Sequence, residues 1–180
     1  MQTLTMRVVA GKYSRRPLQI DVDNKDIRPT KDMVRQGVFN ALSFDVKHRV
    51  VLDLFSGTGA LGIEALSRGA QAATFIDQSK HAIQLIKTNT TFVEEPIEVM
   101  QMNYQTFLES SPKNRFDLVF LDPPYHLDIL IILDQVLASG ILKEEAILVL
   151  ETDKPLSLVL DKSRIRTYKY GITHITIIWR

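Results

Sequence analysis

From Arg49 to the end of the chain, short apolar runs alternate with segments of helical periodicity, and this alternation constrains the fold more than any single motif. Residues 50–54, 73–77, 97–101, 116–121 and 147–151 read as strands, several of them apolar without interruption. Strands that are apolar on both faces must be covered on both faces, which is the condition of a parallel sheet with helices above and below it. The intervening segments supply those helices. One ends near Leu66 and is stopped by Gly69; one starts at the N-cap Ser79; a short one spans 104–109. A further helix places Ile129, Ile132, Leu133, Val136 and Leu137 on one stripe and closes at Gly140. A brief helix is expected after Pro155. Residues 164–170 and 173–179 flank Gly171 and read as a hairpin, which brings antiparallel pairing into the sheet. The expected class is therefore α/β, a mostly parallel seven-stranded sheet with a C-terminal antiparallel hairpin.

The first 45 residues do not follow the alternation. Residues 6–10 and 18–20 read as short strands around a basic turn bracketed by Gly11 and Pro17. Thr30 is an N-cap candidate for a helix whose apolar stripe is Val34, Gly37, Val38, Ala41 and Leu42, with Arg35 off the stripe and expected to face solvent or a ligand. This segment forms a β-hairpin and helix extension (residues 1–45) of one domain whose core is 46–180. The first 49 residues hold ten Lys/Arg against five Asp, although the whole chain carries a net charge of only +1. That asymmetry makes the extension the nucleic-acid-facing side. Arg7, Lys12, Arg15, Arg16, Arg28 and Arg35 are the candidate RNA contacts, with Tyr13 able to stack on an unpaired base.

Composition excludes several classes. No apolar run approaches the ~20 residues of a membrane helix, and residues 1–11 lack the apolar core of a secretory signal. The absence of cysteine excludes disulfides and thiolate-bound zinc and fits a cytoplasmic protein. The four histidines are dispersed, so no metal is expected.

Asp53, Asp77, Asn103 and Asp122 all fall at the carboxyl ends of expected strands, where open α/β sheets bind their ligands. Gly57-Thr58-Gly59-Ala60-Leu61-Gly62 satisfies G-x-G-x-x-G between a strand and a helix, with Asp77 20 residues beyond Gly57, where an acid can accept ribose hydroxyls. A dinucleotide would be repelled by Asp53, which precedes the loop. S-adenosylmethionine has no phosphate and carries an ammonium and a sulfonium, and it suits that acid. Asp53 and the loop amides then hold the methionine end, Asp77 the ribose and Asn103 the adenine amine, with Phe55, Ser56 and Tyr104 beside them. The second feature is Asp122-Pro123-Pro124-Tyr125, directly after an apolar strand. Two prolines end the strand and stiffen the turn. A carboxylate, a carbonyl and an aromatic ring held on such a turn suit a planar base bearing an exocyclic amine.

With D-L-F-S-G-T-G at 53–59 and D-P-P-Y at 122–125, the chain resembles amino-directed S-adenosylmethionine methyltransferases. More narrowly, it resembles the bacterial RsmD family through Met6-Arg7-Val8-Val9-Ala10-Gly11, Arg28-Pro29-Thr30, Val34-Arg35, Phe39-Asn40 and the stretch from Asp53 to Ala70. The resemblance implies a Rossmann-like methyltransferase fold and methylation of the exocyclic N2 of one guanine in small-subunit ribosomal RNA. It implies ribosomal RNA, free or within the small subunit, as the partner; separately, a monomer is expected. Asn103 stands where that family usually has Asp, and Asp77 where such enzymes more often have Glu. A DNA amino-methyltransferase, an idle RNA-binding module of the same fold and a dehydrogenase are the competing readings.

Overall fold

The computed structural model describes residues 6–20 and 32–180, so Arg28 and the Thr30 cap lie outside the described residues. Seven strands form the central sheet: β3 (Val50–Asp53), β4 (Ala72–Asp77), β5 (Ile97–Gln101), β6 (Phe116–Leu121), β7 (Leu142–Thr152), β8 (Arg164–Tyr170) and β9 (Thr173–Trp179). Their order is β5-β4-β3-β6-β7-β9-β8. The first five are mutually parallel, and β9 is antiparallel to both β7 and β8. The expected α/β sheet with a terminal hairpin is the observed one.

Side-chain alternation along these strands divides the interior in two. Val51, Phe75, Leu118, Phe120, Val149 and Ile177 face one layer, and Leu52, Ile76, Val119, Leu121, Leu148 and Ile178 face the other. The first layer is covered by α1 (Asp32–Leu42), α2 (Ala60–Ser67) and α3 (Lys80–Asn89). The second is covered by α4 (Tyr104–Ser110) and α5 (Ile129–Ser139), whose C-cap Gly140 has the left-handed φ of 77° that closes the helix. Phe39 of α1 lies 5.7 Å from Phe120 of β6, which fixes the helix over the middle of the sheet. Truncating such a buried ring costs about 3–5 kcal/mol.

Two expectations are corrected. Strand β7 begins at Leu142 rather than at 147: a register shift pairs Phe116 with Leu142 and Leu118 with Ile147, so the polar residues 143–145 bulge out of a ladder their composition had hidden. No helix follows Pro155. Leu156, Leu158 and Leu160 instead meet the second layer at every other residue, the period of an extended segment.

The extension begins as a small antiparallel pair, β1 (Met6–Arg7) with β2 (Pro17–Leu18), shorter than the sequence implies. It is not a separate unit. Met6, Val8, Tyr13 and Leu18 join the same buried cluster as Val51 and Phe120. Gly11, at φ 86°, approaches α2 so closely that a Cβ would lie 1.9 Å from the Ser67 carbonyl oxygen. Glu64, fully buried, accepts from the N–H groups of Val9 (2.7 Å) and Ala10 (3.0 Å) and from Arg68 Nε (2.8 Å).

Candidate active site

The strand order reverses beside β3: the chain leaves it for β4 on one side, and β6 lies on the other. The crevice this opens at the carboxyl edge is where such sheets bind ligands. Asp53 ends β3 there, paired with Phe75 and Phe120 and only 2% exposed. Its Oδ2 accepts from the Gly62 N–H at 3.1 Å, so it holds the first turn of α2 against the strand. Burial pushes the Asp53 carboxyl up to about 7; the Gly62 N–H opposes this, and the negative charges of Asp122 and Asp77 add to it. Three carboxylates therefore converge on one crevice.

The glycine loop is built around backbone hydrogen bonds. Ser56 N–H donates to the Ile76 carbonyl at 3.0 Å, and Ser56 Oγ donates to the Asp53 carbonyl at 2.7 Å. Gly57 (φ 53°) and Gly59 (φ 80°) take left-handed conformations that turn the chain into α2. Thr58 is buried between them. Asp77 lies across the loop: its Oδ2 accepts from Gly57 N–H at 2.9 Å and its Oδ1 from Ser79 N–H at 2.8 Å. The acid assigned to a ribose thus also shapes the loop. Asn103 caps α4, its Oδ1 accepting from Gln105 N–H at 2.7 Å. Beside it the Tyr104 ring packs on Phe55 with centroids 5.2 Å apart, so an aromatic pair joins the glycine loop to the end of β5.

The proline corner sits next to this crevice. Leu54 N–H, one residue beyond Asp53, donates to the Phe120 carbonyl at 3.2 Å, which places Asp122 two residues further along the neighbouring strand path. Pro123 is buried, and the Pro124 carbonyl accepts from Leu127 N–H at 2.9 Å, closing a turn that presents Tyr125 at 43% exposure. Asp128 then caps α5 through Leu130 N–H.

The candidate RNA contacts divide. Arg7, Arg15 and Arg16 are exposed, Arg16 lying 5.5 Å over the Phe92 ring. Lys12 is also exposed, but its Nζ sits 2.9 Å from both Glu94 and Glu95. The Tyr13 hydroxyl and the two glutamates hold its pKa above the ordinary value. Tyr13 is not available for base stacking: it is buried, its hydroxyl donates to Glu95 (2.7 Å) and accepts from Glu94 N–H (2.9 Å), and its ring meets Phe92 edge-on. Arg35 reverses the expectation most clearly. Its side chain is 0% exposed, donating to the Arg7 carbonyl and to Asp32 at 2.6 Å, and burial pulls its pKa below the usual guanidinium range. The reason is geometric: beneath the β1–β2 pair, the flank of α1 off the apolar stripe is covered by protein, not water.

Asn89 went unnoticed in the sequence. It is 1% exposed; Oδ1 accepts from Gln19 N–H at 2.7 Å, and Nδ2 donates to the carbonyls of Gln19 (3.0 Å) and Thr58 (2.9 Å). It ties the extension to the glycine loop. The signal was its place, a polar residue on the apolar stripe of Ala82, Leu85 and Ile86.

Comparison with known proteins agrees with this architecture. The chain matches the family described as conserved hypothetical protein 95 over residues 6–179. It is 34% identical over 163 residues to ribosomal RNA small subunit methyltransferase D of Haemophilus influenzae, covering 86% of this chain and 82% of that one. It is 36% identical over 152 residues to the Escherichia coli K12 enzyme of the same name, covering 82% and 75%. The solved structure of the Escherichia coli protein yhhF superposes with a TM-score of 0.84 at 29% identity, covering 98% of each chain. Extent and identity together establish that this chain belongs to the conserved hypothetical protein 95 family, the family of the ribosomal RNA small subunit methyltransferase D enzymes.

Proposed function

We propose that the protein is an S-adenosylmethionine-dependent methyltransferase acting on an exocyclic amine of small-subunit ribosomal RNA, with guanine N2 as the acceptor. The observation that carries this reading is the convergence of Asp53, Asp77 and Asp122 at the switch point of the sheet. A crevice in which a buried carboxyl faces two further carboxylates favours a ligand bearing positive charge and disfavours a pyrophosphate. S-adenosylmethionine fits on both counts, and when bound it supplies a methyl group already activated on a sulfonium.

Asp53 and the Gly57–Gly59 turn hold the methionine end, with the Asp53 carboxylate toward its cationic groups and the positive N-terminus of α2 toward its carboxylate. Asp77, oriented by the Gly57 and Ser79 N–H groups, accepts from the ribose hydroxyls. Asn103 accepts from the adenine amine, with Phe55 and Tyr104 as apolar walls. On the acceptor side, Tyr125 offers its exposed ring to the base. The Asp122 carboxylate and the Pro123 carbonyl accept the two N–H bonds of the amine. A guanine N2 lone pair is delocalised into the ring. Two fixed acceptors favour its pyramidal form and stabilise the positive charge that grows on nitrogen, an electrostatic contribution that needs no reorganisation during the reaction. The base has to leave its stack to reach them, which an RNA loop permits at least cost.

The test is methyl transfer from labelled cofactor to small-subunit ribosomal RNA, to assembled small subunits and to duplex DNA, followed by mapping of the modified nucleotide. Transfer to N2 of a single guanine is expected. Transfer to DNA adenine or cytosine in preference to RNA would overturn the substrate assignment.

A further inference from the structure

The terminal hairpin does more than complete the sheet. Leu121, Leu150, Thr176 and Thr167 form one row across β6, β7, β9 and β8. Strand β8 runs in the same direction as β6, so Tyr168 is level with Asp122 and Tyr170 stands beyond it on the catalytic edge. Three strand spacings separate them, about 14 Å at ~4.8 Å each. Alternation places Arg164, Arg166, Tyr168 and Tyr170 on one face of this edge strand, with both arginines exposed at the far end of the stripe.

Opposite this stripe lies α1. Gly37 meets Tyr170 so closely that a Cβ there would fall 2.3 Å from the phenol ring. A glycine inside a helix weakens it relative to alanine; here its missing side chain is what lets the ring seat. The short helical turn after α1 meets the opposite end of the sheet, where Asp45 accepts from Trp179 Nε1 at 2.9 Å. The first turn of α1 therefore points to the catalytic edge. Between the two elements is an open groove of about 460 Å³, lined by Met33, Gln36, Gly37, Asn40, Tyr168 and Tyr170. Gln36 and Asn40 are exposed amides, able to donate and accept, and Met33 is 65% exposed.

We propose that the groove between α1 and β8 is a second RNA subsite, which takes an unpaired base flanking the target guanine. This rests on the RNA-methyltransferase reading above. The tyrosine rings provide the stacking surface, and the amides of Gln36 and Asn40 meet the base edge. Arg164 and Arg166 lie along the same strand face for the phosphate backbone, Arg164 held 4.0 Å over the Trp179 ring. Aromatic rings interleaved with arginine are the combination by which proteins hold splayed single-stranded bases. The distance suits a neighbour in the same loop: too far for the target base, near enough for a nucleotide a few positions away.

The full chain, with small-subunit ribosomal RNA as probe, tests this. Q36A/N40A combined with Tyr168→Leu is expected to raise the RNA KM about tenfold or more, the loss typical of one stacked base, with kcat and cofactor Kd unchanged. In the unaltered protein, 4-thiouridine placed beside the target guanine is expected to crosslink to residues 33–41 or 164–170. Crosslinks confined to other segments, or an RNA KM within about twofold of wild type, would overturn the subsite while leaving methyl transfer intact. Failure of the wild-type protein to methylate ribosomal RNA would remove the function itself, and the subsite with it.

Discussion

Asp53 gives the sharpest test of the site's electrostatics. Its ordinary value is 3.8, and in the folded protein burial carries it to about 7. Between those values the folded state retains a proton that the unfolded chain has released. The stabilisation this provides is complete below the unfolded value and is lost as pH rises to the folded one, at about 1.4 kcal/mol per pH unit. Over about three units that amounts to ~4 kcal/mol. Asp53→Asn keeps an oxygen for the Gly62 N–H and removes the titration. Urea melts of both proteins across the range from about pH 4 to pH 8 isolate the effect of Asp53 and of the carboxylates coupled to it, because groups that do not interact with Asp53 cancel in the difference. The variant's stability relative to wild type should climb by about 1.4 kcal/mol per unit and level off above pH 7, equivalent to roughly 3–6 °C in Tm per unit for a chain of this size. The same variant should bind S-adenosylmethionine more weakly, since the carboxylate proposed to face its cationic end is gone. Parallel stability profiles for the two proteins would refute the reasoning, because they would mean that Asp53 ionises as freely in the fold as in water.

Asp122→Ala should lower kcat by about 10²–10³ while leaving cofactor binding, measured by calorimetry, nearly unchanged. Asp77→Ala should do the reverse first: it removes the acceptor for Gly57 and Ser79 N–H as well as the proposed ribose contact, so the cofactor Kd should rise by at least about tenfold. Arg15→Ala with Arg16→Ala should weaken RNA binding and flatten its salt dependence in a filter-binding titration, whereas Lys12→Ala, already paired with Glu94 and Glu95, should leave that slope as it was. Glu64→Ala should destabilise the fold by about 3–5 kcal/mol, read as a fall in Tm, because it strands the N–H groups of Val9 and Ala10 and the Arg68 guanidinium.

Much of the architecture was legible because it is written in local periodicity. The strand pattern gave the sheet, the G-x-G-x-x-G and D-P-P-Y segments gave the crevice, and the coincidence of acids at strand ends gave its sign. What escaped has two physical causes. Where a bulge absorbs residues, as at 143–145, composition reads as a loop although the strand continues on both sides of it. Where a side chain's role is set by a partner far along the chain, periodicity is silent. Arg35 was expected to face solvent or RNA because one helix turn cannot reveal what covers its polar flank; Tyr13 was expected on RNA because its glutamate partners lie some 80 residues away.

The same long-range contacts decide how the extension acts. Residues 8–13 are fastened to α2 through Glu64 and Ser67, and Gln19 is fastened through Asn89 to the carbonyl of Thr58. Helix α2 is itself set by the hydrogen bond from Gly62 to Asp53. A load on the basic turn is therefore transmitted through the side-chain hydrogen bonds of Glu64, Ser67 and Asn89 to the loop that shapes the crevice. A detachable RNA arm would be joined by exposed chain and would leave the sheet intact when removed. This hairpin instead contributes Met6, Val8, Tyr13 and Leu18 to the core that supports the sheet. If RNA binds the basic turn as proposed, that binding and cofactor binding in the crevice act on one connected unit, and any coupling between them is reciprocal, each changing the affinity for the other by the same factor.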